Sequence, residues 1–481
     1  MPMIFAHADL NLILPELVLV TGTLALLLFD LFARQNGRWM THILAILLLV
    51  LAAASVLAQG MGLTASGWSG VYERDVLSAV LKLAIYGVSA LCLLYARPYL
   101  ADRRLWSGEF YLLVLFSVTG MSILVSAGSL VTVYLGLELM ALSTYALVAL
   151  DRDNRKASEA AIKYFVLGAL ASGILLYGLS MLYGASGTLD LGEIALALGG
   201  SQPTEPLMAF GLAFIIVGIA FKLGAAPFHM WLPDVYEGSP TAVTTFIGSA
   251  PKLAAFGMAW RLLDTSLGGL SEQWGDMLAL LALASLAVGN LAALVQTNLK
   301  RMLAYSTVSH VGFLLLGLLH GGANGYAAAL FYAIVYALMS AGAFGMILWL
   351  AREGFEAEEI DDFKGLNQRS PWAAFIMLLL MASLAGIPPL VGFFGKLVVL
   401  QAVIESGRLW LAIAAVIFAV IGAYYYLRVI KVMYFDQSTD ERLIPATDTG
   451  LRIGLSANGL AQLGLGLFAG PLLAWCVRAF L

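Results

Sequence analysis

About fourteen apolar runs, each long enough to cross a lipid bilayer, follow one another through the chain. They cover roughly 10–32, 41–59, 76–97, 109–125, 129–150, 157–183, 206–228, 240–263, 275–297, 301–319, 324–351, 371–404, 409–435 and 451–480. A spanning helix needs about 20 predominantly apolar residues. Composition agrees: 61% of residues are hydrophobic and 12% charged, whereas a soluble domain is about a quarter charged. The chain is therefore expected to be an all-α polytopic membrane protein with about 14 transmembrane helices. Two runs, the seventh and the twelfth, are interrupted by proline, at Pro227 and at Pro388–Pro389. No Lys or Arg precedes the first run, so it reads as a retained helix rather than a secretory signal.

Several function classes are excluded by what the chain lacks. Its two cysteines, Cys92 and Cys476, stand far apart in apolar runs, which argues against iron–sulfur, haem or structural zinc ligation. No Rossmann or P-loop signature is present, which argues against nucleotide binding. The net charge of −4 says less than the placement of the charges. Loops after odd-numbered runs hold Arg34, Arg38, Arg97, Arg103, Arg104, Arg152, Arg155, Lys156, Lys300, Arg301, Arg352, Lys364, Arg369 and Arg442. Loops after even-numbered runs hold Arg74 and Arg408, with Arg261 at a helix end. By the positive-inside rule the odd loops face the cytoplasm and both termini the periplasm. The acidic loop 352–364 reads as a solvated connector. Lysine spacing also suggests an internal repeat: Lys222 would match Lys396, and Glu138 would match a position near His310.

With loop charges set aside, Glu138, Lys163, Lys222, Lys252 and Lys396 remain in the membrane interior, with Glu16 and Lys82 as doubtful additions. Ionisable groups at such depth are costly and read as functional by default. Lysine in water keeps its proton to about pH 10.4. Desolvation opposes its charge and a neighbouring carboxylate supports it. A buried lysine with a movable carboxylate partner can thus exchange a proton near neutral pH, which arginine cannot do. Glu138 with Lys222 would form such a switch, and Lys252 and Lys396 would carry the proton onward. Backbone freed by the two breaks must line a cavity or be covered by protein, and a hydrated cavity is what a proton path needs.

Further candidates each have a structural alternative. Lys163 follows Glu159 at i, i+4 and could be a helix-surface pair. Glu109 could favour its helix N-terminus or pair with Arg103 or Arg104. His229 and His310 could be packed core histidines, and Tyr305 an interfacial tyrosine or a hydroxyl in a water chain. Lys82 could be buried against another helix. Asp234 and Glu237 are expected to cap the eighth helix.

The stretches EFYLLVLFS, GLELMALSTYAL, EAAIKYF, GIAFKLGAAPFHMWLPDVYEG, QTNLKRMLAYSTVSHVGF and SLAGIPPLVGFFGKLVVL closely resemble the subunit N family of bacterial NADH–quinone oxidoreductase (respiratory complex I), one of its antiporter-like membrane subunits. They span about 109–430. The resemblance implies N-terminal helices in 1–100, inverted five-helix repeats in 109–263 and 275–435, and a last helix in 451–481. It implies a proton-translocating translocase subunit of the inner membrane, driven by quinone reduction in neighbouring membrane subunits. This chain would hold no cofactor; NADH, FMN, iron–sulfur clusters and quinone would belong to partner subunits. Carried over by motif, Glu138, Lys222, Lys252 and Lys396 are the family's proton-path residues, and Lys163 and Glu109 match further charged positions. Lys82 has no counterpart. A subunit of a multisubunit sodium/proton antiporter or membrane-bound hydrogenase shares the same core, and a structural spacer is the third reading.

Overall fold

The computed structural model describes residues 7–32, 37–198, 206–319, 321–437 and 446–481. Arg34 and Arg442, used above for orientation, lie outside the described residues. Among these residues, 11 helices are long and apolar enough to cross a membrane, or 12 if one bent pair counts as a single span.

The main helices are α1 (Leu14–Phe32), α2 (Arg38–Ala58), α3 (Val76–Asp102), α4 (Gly108–Val125), α5 (Leu130–Val148), α6 (Arg155–Ser186), α7 (Pro206–Leu223), α8 (Trp231–Gly238), α9 (Thr241–Ile247), α10 (Ala250–Trp260), α11 (Ser271–Leu294), α12 (Leu299–Leu318), α13 (Ala323–Leu350), α14 (Pro371–Ala385), α15 (Val391–Glu405), α16 (Leu409–Phe435), α17 (Thr449–Leu467) and α18 (Ala469–Arg478). A short hairpin, β1 (Ala65–Gly67) with β2 (Tyr72–Arg74), covers the end of α3. The spanning-helix count falls below fourteen for a physical reason. Three apolar runs are split into pieces, α9/α10, α14/α15 and α17/α18, and none of these pieces qualifies as a span by itself.

Helix α13 is the spine. Its most apolar stretch is 94% buried, so it is apolar on every side rather than amphipathic. It packs against α3, α9, α10, α12, α14, α15, α17 and α18. Close crossings are made by glycine. A methyl at Gly120 of α4 would lie 2.5 Å from the Met140 amide nitrogen of α5, and one at Gly289 of α11 would lie 2.5 Å from the Ser309 nitrogen of α12.

The glycines, not the prolines, end the broken helices. Gly224 (φ 88°) follows α7 and Gly386 (φ 87°) follows α14. The Ala220 carbonyl accepts from the amides of Gly224 (2.9 Å) and Ala225 (2.8 Å). The Ala382 carbonyl likewise accepts from Gly386 (3.1 Å) and Ile387 (3.0 Å). This is a left-handed helix terminator. Pro227, where the sequence pattern placed the first break, lies three residues past Gly224. A third break, at Gly248–Ser249 between α9 and α10, falls inside a run that reads as one continuous helix.

The acidic loop is not merely solvated. Glu356 pairs with Arg103 at 2.7 Å, Ile360 and Phe363 are buried, and the Glu358 carbonyl accepts from the Leu299 amide at 2.6 Å.

Candidate functional site

Breaking α7 and α14 leaves helix C-termini inside the protein, each with unsatisfied carbonyls and a negative dipole end. Both are met by lysine. Lys252 Nζ, from the first turn of α10, donates to the Leu223 carbonyl at 2.8 Å. Lys396 Nζ, from α15, donates to the carbonyls of Leu384 at 3.0 Å and Ala385 at 2.9 Å. Leu223 and Ala385 each immediately precede the terminating glycine, so Lys252 and Lys396 bond matching carbonyls. Lys252 is 2% exposed, with the Trp231 ring centroid 5.1 Å from its ammonium.

Lys222 sits in the last turn of α7 and donates to Ser172 Oγ of α6 at 3.0 Å. Glu138 lies on α5 about two turns before Tyr145, whose ring is 6.0 Å from Lys222 Nζ. Glu138 Oε1 is buried without a hydrogen-bond partner. Glu138 and Lys222 are near enough to interact electrostatically, but they make no direct ion pair. The expected switch is thus set with its two halves apart.

Lys396 opens onto a small cavity shared with His310, Asn290, Ser309, Tyr425 and Tyr426. His310 Nδ1 is 2.6 Å from Tyr332 Oη and its Nε2 is 3.1 Å from Tyr426 Oη. Tyr426 also hydrogen-bonds Ser306, and Asn290 joins Ser309 Oγ (2.8 Å) to Tyr425 Oη (3.1 Å). Tyr336, its ring tilted 31° to that of His310 at 4.8 Å, donates to Thr307 Oγ1 at 2.8 Å. These hydroxyls gather around His310 beside Lys396.

The other candidates fall elsewhere. Lys163 is 42% exposed and binds Glu159 at 2.9 Å and Asp234 at 2.8 Å. Asp234 and Glu237 also bind Arg301, each at 2.9 Å. The two acids tie α8 to α6 and α12 rather than capping the next helix. His229 Nδ1 is buried without a partner, and its ring lies 6.3 Å from that of Tyr305. Glu109 is exposed in the first turn of α4. Reading the sequence missed Ser172, Asn290 and the buried tyrosines. Tyr332 and Tyr336, four apart on an otherwise apolar helix, carried a usable signal.

Comparisons with known proteins decide the family. The family model described as NADH:quinone oxidoreductase/Mrp antiporter, transmembrane, matches residues 127–422. NADH-quinone oxidoreductase subunit N of Xanthomonas euvesicatoria pv. vesicatoria is 56% identical, covering 98% of this chain and 97% of that protein. This chain belongs to the NADH-quinone oxidoreductase subunit N family. The subunit N of Herminiimonas arsenicoxydans is 53% identical over 98% of this chain and 99% of its own length. A chain of respiratory complex I from Thermus thermophilus matches with a TM-score of 0.82 at 32% identity, covering 96% of this chain and 98% of that one. In this chain the lysine-capped broken helices lie inside the matched segment, and Glu16 and Lys82 lie before it.

Proposed function

We propose that this chain is a proton-translocating subunit in the membrane arm of an NADH–quinone oxidoreductase, working beside the other membrane subunits of that complex. Protons move along Glu138, Lys222, Lys252 and Lys396, driven by quinone reduction elsewhere. The observation that carries this reading is the pair of broken helix ends, each bonded by a lysine, with the His310–tyrosine network beside the second. A mid-membrane lysine held by carbonyl dipoles alone has no fixed carboxylate to keep it charged, so it can give up its proton when the field around it changes.

The finer architecture belongs to the same proposal. Fourteen crossings, with both termini on the periplasmic side, accommodate the three split runs. Inverted units at 109–263 and 275–435 are supported by recurring backbone contacts. The Leu130 amide bonds the Leu189 carbonyl and the Leu191 amide bonds Gly128. In the second half Leu299 bonds Glu358 and Ile360 bonds Thr297 in the same way. The chain needs no cofactor for this role; NADH, FMN, iron–sulfur clusters and quinone are assigned to partner subunits.

The test is Lys222→Ala in the whole complex reconstituted into liposomes. Proton uptake per NADH is expected to fall while the complex still assembles. Undiminished pumping refutes the reading; loss of assembly with normal pumping of the remainder supports a structural spacer. A sodium/proton antiporter subunit is the alternative, which an antiporter operon around the gene would favour.

A further inference from the structure

The chain holds a second buried ionic cluster, near its outer face and apart from the central lysines. Lys82 Nζ of α3 lies 2.7 Å from Glu16 Oε1 of α1, with side-chain exposures of 1% and 7%. Tyr72 Oη, from the hairpin, donates to Glu16 Oε2 at 2.9 Å and accepts from Lys82 at 2.7 Å. Ser122 Oγ of α4 donates to Glu16 Oε1 at 2.6 Å and contacts Tyr86 Oη at 2.6 Å. The other charged groups here are already engaged. Arg74 bonds Gln59 Oε1 at 3.1 Å and the Gly60 carbonyl at 3.1 Å, and Asp75 pairs with Arg261 at 2.6 Å.

This cluster begins a polar stripe. Ser78, Lys82, Tyr86, Ser89 and Cys92 recur every three or four residues and so share one face of α3, all of them buried. The stripe ends where Cys92 Sγ meets Ser249 Oγ at 3.4 Å, at the break between α9 and α10. There the Ser249 carbonyl accepts from the Lys252 backbone amide at 3.1 Å. Along the way Ser89 Oγ is fully buried with no hydrogen-bond partner, and so is Thr23 Oγ1, seven residues from Glu16 on α1. Successive members are about one turn apart, roughly 5 Å, a gap one water bridges. A purely apolar docking of α3 would not leave a row of hydroxyls on its most buried face.

We propose that the Glu16–Lys82–Tyr72 cluster is a proton-release site, fed from Lys252 along this face of α3. It rests on the proton-translocation reading above. A proton arriving through Tyr86 and Ser122 binds the Glu16 carboxylate at Oε1. Tyr72 then passes its phenolic proton to outer water and takes the proton of Glu16 in its place. Lys82 stays an ammonium throughout, so the net result is one proton moved outward and no bond changed. The ligand class is the proton itself, carried as hydronium or through hydroxyls.

The test uses the intact complex in proteoliposomes, measuring protons moved per NADH together with NADH:quinone turnover. Glu16→Gln keeps the side chain's size and removes the proton site. It is expected to lower protons per NADH as far as Lys252→Met does in the same preparation, with the complex assembled. Ser89→Val leaves the ion pair intact and closes the gap in the stripe; it is expected to lower the ratio too. Wild-type stoichiometry in assembled Glu16→Gln overturns the proposal. If that variant does not assemble, wild-type stoichiometry in Ser89→Val overturns it instead. Lys222→Ala separates the two claims: if it pumps fully, the translocation reading fails; if it is impaired while Glu16→Gln is not, only the release site fails.

Discussion

Replacing Lys252 with methionine separates a structural from a functional lysine, because two opposing terms nearly cancel. The side chain makes one charge-assisted hydrogen bond, to the Leu223 carbonyl at 2.8 Å. Such a bond contributes about 1.5–3 kcal/mol. Placing a lysine at the centre of a membrane helix costs about 2.5–3.5 kcal/mol on insertion scales. Lys252→Met removes both, and methionine matches the stem in length and packs against the same Trp231 ring. The net change is within about 2 kcal/mol of zero and on balance favours the variant. Assembly and thermal stability of the complex should therefore survive. Proton transfer should not, since a thioether holds no exchangeable proton. The assay is reconstituted complex, with liposome acidification, NADH:quinone turnover and thermal unfolding measured on one preparation. Impaired pumping at unchanged stability is expected. A large fall in stability with normal pumping would mean that Lys252 serves as a helix cap, and the electrostatic argument would be wrong.

Two further predictions concern the network and the loop. Tyr332→Phe removes the partner 2.6 Å from His310 Nδ1; it should cost about 1–3 kcal/mol, the price of an unsatisfied buried group, and slow pumping more than His229→Gln does, read from melting and acidification rates. Burial raises the Glu358 carboxyl above its ordinary value of 4.5, against the opposing pull of Lys300 and Lys156. An acid raised on folding supports stability below its unfolded value and loses that support as pH rises through the folded one. Glu358→Gln should therefore flatten the decline in stability above about pH 4.5, measured as melting temperature against pH; an unchanged slope would refute the assignment.

Much of this protein is legible without coordinates. The apolar runs determined an all-helical membrane fold, because lipid leaves the backbone no other partner than itself and runs of about 20 residues suit helices rather than barrel strands. The rarity of charge at depth singled out Glu138, Lys222, Lys252 and Lys396, since each costs too much to be incidental. The two interrupted helices were visible as well, though the prolines drew attention away from Gly224 and Gly386, which end them.

Tertiary structure decided which charges meet. Burial and helix breaks are properties of a segment, but a hydrogen bond between Lys252 and Leu223 joins residues from different helices and depends on how they cross. No spacing in the chain tells that Lys252 bonds the carbonyl end of α7 as Lys396 bonds that of α14. The same holds for Glu16 and Lys82, which looked like doubtful strays in separate helices and became one ion pair on packing. Lys163 showed the reverse: its i, i+4 partner Glu159 was legible, while its second partner, Asp234, came from across the fold. Local sequence fixes which groups are expensive to bury; only the packing of distant helices determines what compensates them.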